Sequence, residues 1–200
     1  MGYFYVELPE WAAYAAVALV LLILGWLLGP LRQRAWRRLA AELGLRYSPR
    51  PRPDLLSDVP FDELRRRGRS RLYNVATGQY RGREICCFDL DSEEARDGRD
   101  EVVSQTYVLV RAPVALPKLA LEPVGSGRYR AVCDDTAFMR RWLDRRGQAL
   151  LACTDSLHIE GRQDLVLVRA AGDGWLDVAT EVRPLLAIAL DLVDLIPTEW

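Results

Sequence analysis

The chain has 200 residues, 50% hydrophobic and 28% charged, which is enough for one buried core beside a short appended segment and rules out wholesale disorder. A formal net charge of -1 excludes the net basic surface of a nucleic-acid binder. Lys118 is the single lysine, and the arginine bias with abundant Ala, Leu, Val and Asp reads as the codon usage of a high-G+C genome.

No charge occurs between Glu10 and Arg32. The apolar run from Trp11 would span about 31 Å as a helix, close to the hydrocarbon thickness of a bilayer. Trp11 and Tyr14 stand at one end and Trp26 at the other, where aromatic rings prefer the headgroup level. A cleaved signal peptide would want a basic start and a small-residue cleavage site, whereas this start carries Glu7 and Glu10. The segment Trp11–Leu28 is therefore expected to be a single transmembrane helix. Arg32, Arg34, Arg37 and Arg38 follow it, so the positive-inside rule places residues 1–10 outside and the rest in the cytoplasm. The same four arginines are candidate contacts for anionic lipids, because residues 32–71 carry a net of +7 and residues 72–200 a net of -6.

Residues 31–44 continue as a helix: Leu31, Ala35, Leu39 and Leu43 recur every four positions, Trp36 and Ala40 flank them, and Gly44 ends the run. This helix either lies on the leaflet or packs on the domain. Pro49 to Pro53, alternating with arginine, is a stiff spacer and the expected boundary. The chain thus divides into 1–30 (tail and anchor), 31–53 (basic juxtamembrane helix and linker) and 54–200 (cytoplasmic domain). A short helix is expected over Pro60–Arg67, capped by Asp58 and ended by Gly68.

The pattern then turns to strands. Arg71–Gln79 and Arg83–Asp91 flank Tyr80–Gly82 as a hairpin. The charged stretch Asp91–Glu101 reads as a solvated loop. Ser104–Arg111, rich in Val, Tyr and Thr, reads as a central strand, and Lys118–Glu122 and Arg128–Val132 as further strands joined at residues 125–127. Asp135 caps a helix bearing Phe138, Met139, Trp142 and Leu143 that stops at Gly147. Short strands are expected at Ala149–Cys153, Leu157–Glu160 and Asp164–Arg169. A C-terminal amphipathic helix from Val178 to Leu195 carries Pro184 as a kink. The fold class expected is α+β: an N-terminal transmembrane helix, then an antiparallel-sheet domain with a C-terminal amphipathic helix.

Pro60 to Pro123 resembles a family of uncharacterised bacterial membrane-anchored proteins, a domain of unknown function. The residues that carry the resemblance are RGRSRLYN at 67–74, Gly78, Gly82, Phe88-Asp89, Gln105-Thr106, Leu116-Pro117 and Pro123; the helix around Phe138–Trp142 and the ending Ile196-Pro197 also look similar. Members usually carry a longer aromatic-rich insert between the positions of Pro123 and Arg128, which this chain lacks. The resemblance implies no activity, catalytic residue or cofactor.

Chemistry-bearing residues are few. Cys86, Cys87, Cys133 and Cys153 form no C-x-x-C pair and His158 is the only histidine, short of a four-ligand zinc set. Cys86 and Cys87 are neighbours on a strand, so they point to opposite faces and read as packing residues. The carboxylates of 91–101 lack calcium-loop spacing, and Asp134-Asp135 read as a helix start. No nucleophile elbow, Walker loop or G-x-G-x-x-G occurs. No catalytic, metal or cofactor residue is expected. The reading is a non-catalytic, membrane-anchored interaction or scaffold module with an unknown protein partner, contacting the bilayer through Trp11–Leu28. A membrane-surface lipid-binding domain and a tethered enzyme with an unrecognised site are the alternatives.

Overall fold

The computed structural model describes residues 10–199 apart from 51–58, 62–63, 65–69, 97–98, 126–127, 155–156 and 171–175. Helix α1 runs from Glu10 to Glu42 without interruption, with Pro30 inside it. Among the described residues no helix is long and apolar enough to cross a membrane; the side chains of 21–28, the middle of the apolar run, lie outside them. The expected span at Trp11–Leu28 is therefore not established by the fold.

What the fold does settle is where the second half of α1 goes. Trp36, Leu39, Ala40 and Leu43 are buried in the main core, an i, i+3, i+4, i+7 spacing that puts one stripe against the sheet. Leu31 is exposed instead, so the buried stripe is centred on Trp36 and Ala40. The helix ends in a Schellman turn: Leu45 N–H donates to Ala40 O at 2.7 Å and Gly44 N–H to Ala41 O at 3.2 Å, with Gly44 at φ +69°. Strand β1 (Arg46–Ser48) then joins the sheet beside β2. The core thus takes in residues of α1 and β1 that lie ahead of the boundary expected at residue 54. The helix expected over 60–67 lies largely outside the described residues.

The sheet has six antiparallel strands: β1, β2 (Ser70–Tyr80), β3 (Arg83–Arg96), β4 (Arg99–Gly125), β5 (Arg128–Cys133) and β6 (Leu157–Ala170). The β2–β3 hairpin turns at Arg81 and Gly82, both at positive φ (+50° and +74°), the backbone of a type I′ turn. Two expectations change here. The stretch 91–101 is largely strand, paired from Asp91↔Ser104 to Arg96↔Arg99. The strands expected at 104–111 and 118–122 are one, β4, whose ladder with β6 shifts register between Arg111 and Leu116 and again before Leu119. Pro113 and Pro117 fall in those irregular stretches, where a missing N–H breaks no ladder bond. Likewise β6 joins two expected strands across Gln163, at φ +55°.

Asp135 caps α2 (Thr136–Trp142), its carboxylate accepting from the N–H groups of Ala137 and Phe138. Asp144 caps a further helix, α3 (Arg145–Ala152). Gly147 lies inside α3, and the strand expected at 149–153 is helical. The C-terminal element is a π-helical turn, Val178–Val182, followed by α4 (Arg183–Asp194). Pro184 sits in the first turn of α4, where its missing N–H is tolerated, so it starts a helix and does not kink one.

Helices α2 and α4 and the second half of α1 cover one face of the sheet. Trp142 anchors α2 to α4 through Nε1–H donating to Leu192 O at 2.9 Å. A smaller cluster on the other face stacks Phe88 on Tyr107 (ring centroids 5.3 Å apart) with Val59, Phe61 and Leu167. The antiparallel α+β class expected from the sequence is the one observed.

Candidate functional site

Strand β3 alternates with period two. Ile85 and Cys87 enter the helix-covered core and Phe88 and Leu90 the opposite cluster, so Asp89 is aimed at the helix side as well. Asp89 is fully buried. A lone carboxylate there would be untenable, since removing an unpaired charge from water costs far more than a fold's margin of stability.

Five donors solve this. Arg32 of α1 grips both oxygens, Nε to Oδ2 at 2.8 Å and Nη2 to Oδ1 at 2.7 Å. Trp36, one helical turn on, donates Nε1–H to Oδ2 at 2.8 Å. Thr106, opposite Asp89 in the β3–β4 register, donates its hydroxyl to Oδ1 at 2.8 Å. Asn74 donates Nδ2–H to Oδ2 at 2.9 Å; it sits at φ +51° where the β2–β3 ladder shifts register, a backbone that asparagine tolerates. Tyr47 of β1 donates in turn to Asn74 Oδ1 at 2.8 Å, and Arg32 Nη1 donates to Leu176 O at 2.8 Å, ahead of the π turn. No buried side-chain polar atom among the described residues lacks a partner.

A carboxylate offers about four lone-pair sites. With five donors on it and no solvent exposure, Asp89 has no capacity left to accept a substrate proton or a metal ion. The cluster is a joint between α1 and the sheet. Two residues along β3, Asp91 Oδ1 accepts from the hydroxyls of Tyr73 and Ser104, both at 2.5 Å. Burial, and then the bond to Asp91, push the Tyr73 hydroxyl pKa well above its ordinary value, so Tyr73 stays a proton donor.

The four collar arginines are separated by this geometry. Arg32 is turned inward, its side chain 12% exposed. Arg34, Arg37 and Arg38 are exposed, and Arg37 lies over the Tyr47 ring, 5.9 Å from its centroid. Cys87 is in the main core and Cys86 packs against the opposite cluster; burial pushes the Cys86 thiol up to about 12 and raises that of Cys87 further. His158 is half-buried on β6. Among the described residues no three metal-type ligands cluster. A cleft of about 650 Å³ between the end of α1 and the β2–β3 hairpin is lined by Gly44, Leu45, Gly78 and Ile85 and by the polar side chains of Arg46, Thr77, Gln79 and Glu84.

Sequence reasoning missed the Asp89 joint. Its signal was a single acid on the inward phase of the run Ile85–Leu90.

The fold is similar to that in the crystal structure of the mycobacterial trehalose monomycolate transport factor A, TtfA, with a TM-score of 0.62 and 18% identity, covering 82% of this chain and 96% of that one. At that identity the likeness shows the fold alone. No family model and no curated protein matches the chain.

Proposed function

We propose that this chain is anchored in a bacterial cell membrane by Trp11–Leu28, N-terminus outside, and that its α+β domain is a non-catalytic interaction or scaffold module on the cytoplasmic side. The observation that carries this reading is the joint itself. The helix that Arg32 and Trp36 fasten to the sheet continues, in the other direction, into a segment that the domain leaves bare. Trp11 is 69% and Tyr14 76% exposed, and Val17, Leu19 and Val20 are exposed as well. Large apolar side chains left uncovered in this way call for a membrane or a partner. The uncharged length between Glu10 and Arg32 suits a bilayer, and the arginines beyond it suit the cytoplasmic side.

The non-catalytic reading is supported by chemistry in the same place: the convergent polar cluster around Asp89 is spent on holding α1. A non-catalytic accessory role is in keeping with the fold shared with a protein named as a transport factor.

The test has two parts. Alkaline carbonate should leave the chain in the membrane pellet, and release into the supernatant would sink the anchor. A fluorescent reporter fused after Trp200 should be bright and an exported phosphatase fused there inactive; the reverse would overturn the cytoplasmic assignment. Cross-linking in native membranes followed by mass spectrometry should return a recurrent protein partner that a variant without the domain fails to capture.

A further inference from the structure

Arg32 is withdrawn into the joint and Arg37 is occupied by Tyr47, which leaves two collar arginines without such work. Arg34 and Arg38 are exposed and have no hydrogen-bond or ion-pair partner among the described residues. They are one helical turn apart on α1, so their side chains are neighbours on one face. That face is opposite the stripe of Trp36, Leu39 and Leu43, and exposed Leu31 continues it toward the apolar segment. We propose that Arg34 and Arg38 together bind the phosphate of an anionic phospholipid in the leaflet that α1 enters; this rests on the anchoring reading above.

Position and direction both favour a headgroup. Arg34 lies about 4.5 Å and Arg38 about 10.5 Å along the helix axis beyond Leu31. Side chains on a helix lean toward its N-terminus, which here is the membrane end, so both guanidiniums are carried back toward the interface. Long arginine stems can lie along apolar surface with the charged head in water, and a guanidinium fork matches phosphate geometry. The joint adds what a free collar lacks. Because Asp89 fixes Arg32 and Trp36, the rotation of α1 about its axis is fixed relative to the domain, and Arg34 and Arg38 face away from the acidic remainder of the chain, net -6 over residues 72–200. The nearby acid Glu42 is itself paired with Arg183.

The competing account is that these arginines only set topology during insertion. A nanodisc separates the two, because it is filled without any insertion machinery and a topology signal predicts no lipid preference in it. The full chain is assembled into nanodiscs of phosphatidylcholine containing a minor fraction of spin-labelled phosphatidylglycerol, or of spin-labelled phosphatidylcholine as the control. Motionally restricted phosphatidylglycerol should exceed restricted phosphatidylcholine at low salt, and the excess should fall as salt rises toward 0.15 M and beyond. R34Q/R38Q should abolish it, at about five-fold in preference per arginine, the equivalent of about 1 kcal/mol each near a charged surface. R37Q should leave most of it. Equal restriction of the two lipids, or an excess that survives R34Q/R38Q, overturns the proposal while leaving the anchor intact. Failure of the wild-type chain to enter nanodiscs at all overturns the anchor and the proposal together.

Discussion

Arg32 on helix α1 and Asp89 on strand β3, 57 positions apart in sequence, form a two-pronged ion pair with N···O distances of 2.7 and 2.8 Å in which the carboxylate is wholly buried. The pair joins the segment next to the apolar helix to the centre of the sheet. Buried pairs of this sort add little net stability over apolar packing, but each partner becomes a liability without the other. Their use here is in fixing geometry: a fork with two prongs, backed by Trp36 one turn away, allows α1 a single rotation and a single height on the sheet.

Arg32→Ala should therefore destabilise the domain by about 3–5 kcal/mol, because Asp89 would stay buried with only neutral donors. Arg32→Lys should recover part of the loss, since a lysine offers one point charge where arginine offers a fork. Trp36→Phe keeps the ring but removes the N–H that reaches Asp89, and should cost about 1.5–3 kcal/mol. Urea midpoints of the purified full chain measure all three. Arg32→Ala within experimental error of wild type would show that the pair does not persist in solution.

A fragment starting at Leu31 should fold, and one starting at Asp54 should not. The shorter fragment lacks Trp36, Leu39, Leu43 and Leu45, all buried, each worth roughly 1.5–3 kcal/mol of burial. It also lacks β1, uncovering the edge of β2, and three of the five donors to Asp89. Circular dichroism and size-exclusion profiles of the two fragments decide this. A monomeric, cooperatively unfolding fragment from Asp54 would make the second half of α1 a separate linker.

Elements with a local chemical signature were legible: the Arg81-Gly82 turn, the Asp135 cap, the Gly44 stop, the apolar stripe of the C-terminal helix. Errors arose where a local signal had a second solution. Charge in 91–101 suggested a loop, yet β3 and β4 stay paired through it, from Asp91↔Ser104 to Arg96↔Arg99, because a strand with faces open to water tolerates charge as a loop does. Ser104–Arg111 and Lys118–Glu122 read as two strands, but Pro113 and Pro117 between them fall in a bulged ladder, which has positions where no N–H is required. Gly147 reads as a stop, but Asp144 caps a second helix that runs through it. The Asp89 joint was half legible: period two in β3 exposes the misplaced acid, but its partner lies 57 residues away, and one sequence carries no record of that pairing.

Gly147→Ala should destabilise, against the usual sign. In a helix the change ordinarily gains about 1 kcal/mol. Here an added Cβ would stand 2.6 Å from the backbone carbonyl oxygen of Trp142, and that oxygen cannot rotate away. The α2–α3 corner must open, disturbing Trp142 and its bond to Leu192 O. A net loss of about 1–3 kcal/mol is expected, of the order seen for overpacked sites. A raised urea midpoint in Gly147→Ala would show that the two short helices are not packed this closely.

Stability should decline at alkaline pH, with Cys86 and Cys87 as a main cause. Burial raises the Cys86 thiol from an ordinary value of about 9 to about 12; Cys87 is raised further, by burial first and then by the neighbouring Cys86 and Asp89. Both thiols stay protonated in the fold at a pH where the unfolded chain has begun to lose those protons, so between these values the folded state binds more protons and stability falls as pH rises. Their contribution is complete below about pH 9 and is lost progressively toward about 12. Tyr73 and Tyr47, both raised mainly by burial, act in the same direction above about 10. Urea midpoints from neutral pH to about 11 should therefore slope downward for the wild type and less steeply for Cys86→Ala/Cys87→Ala, whose lower starting stability does not affect the slope. Thiol labelling at mildly alkaline pH gives a second reading: exposed Cys153 should react first, and Cys86 and Cys87 only on unfolding. Equal slopes in the two proteins, or prompt labelling of Cys87 under native conditions, would mean that β3 does not hold this pair of thiols inside.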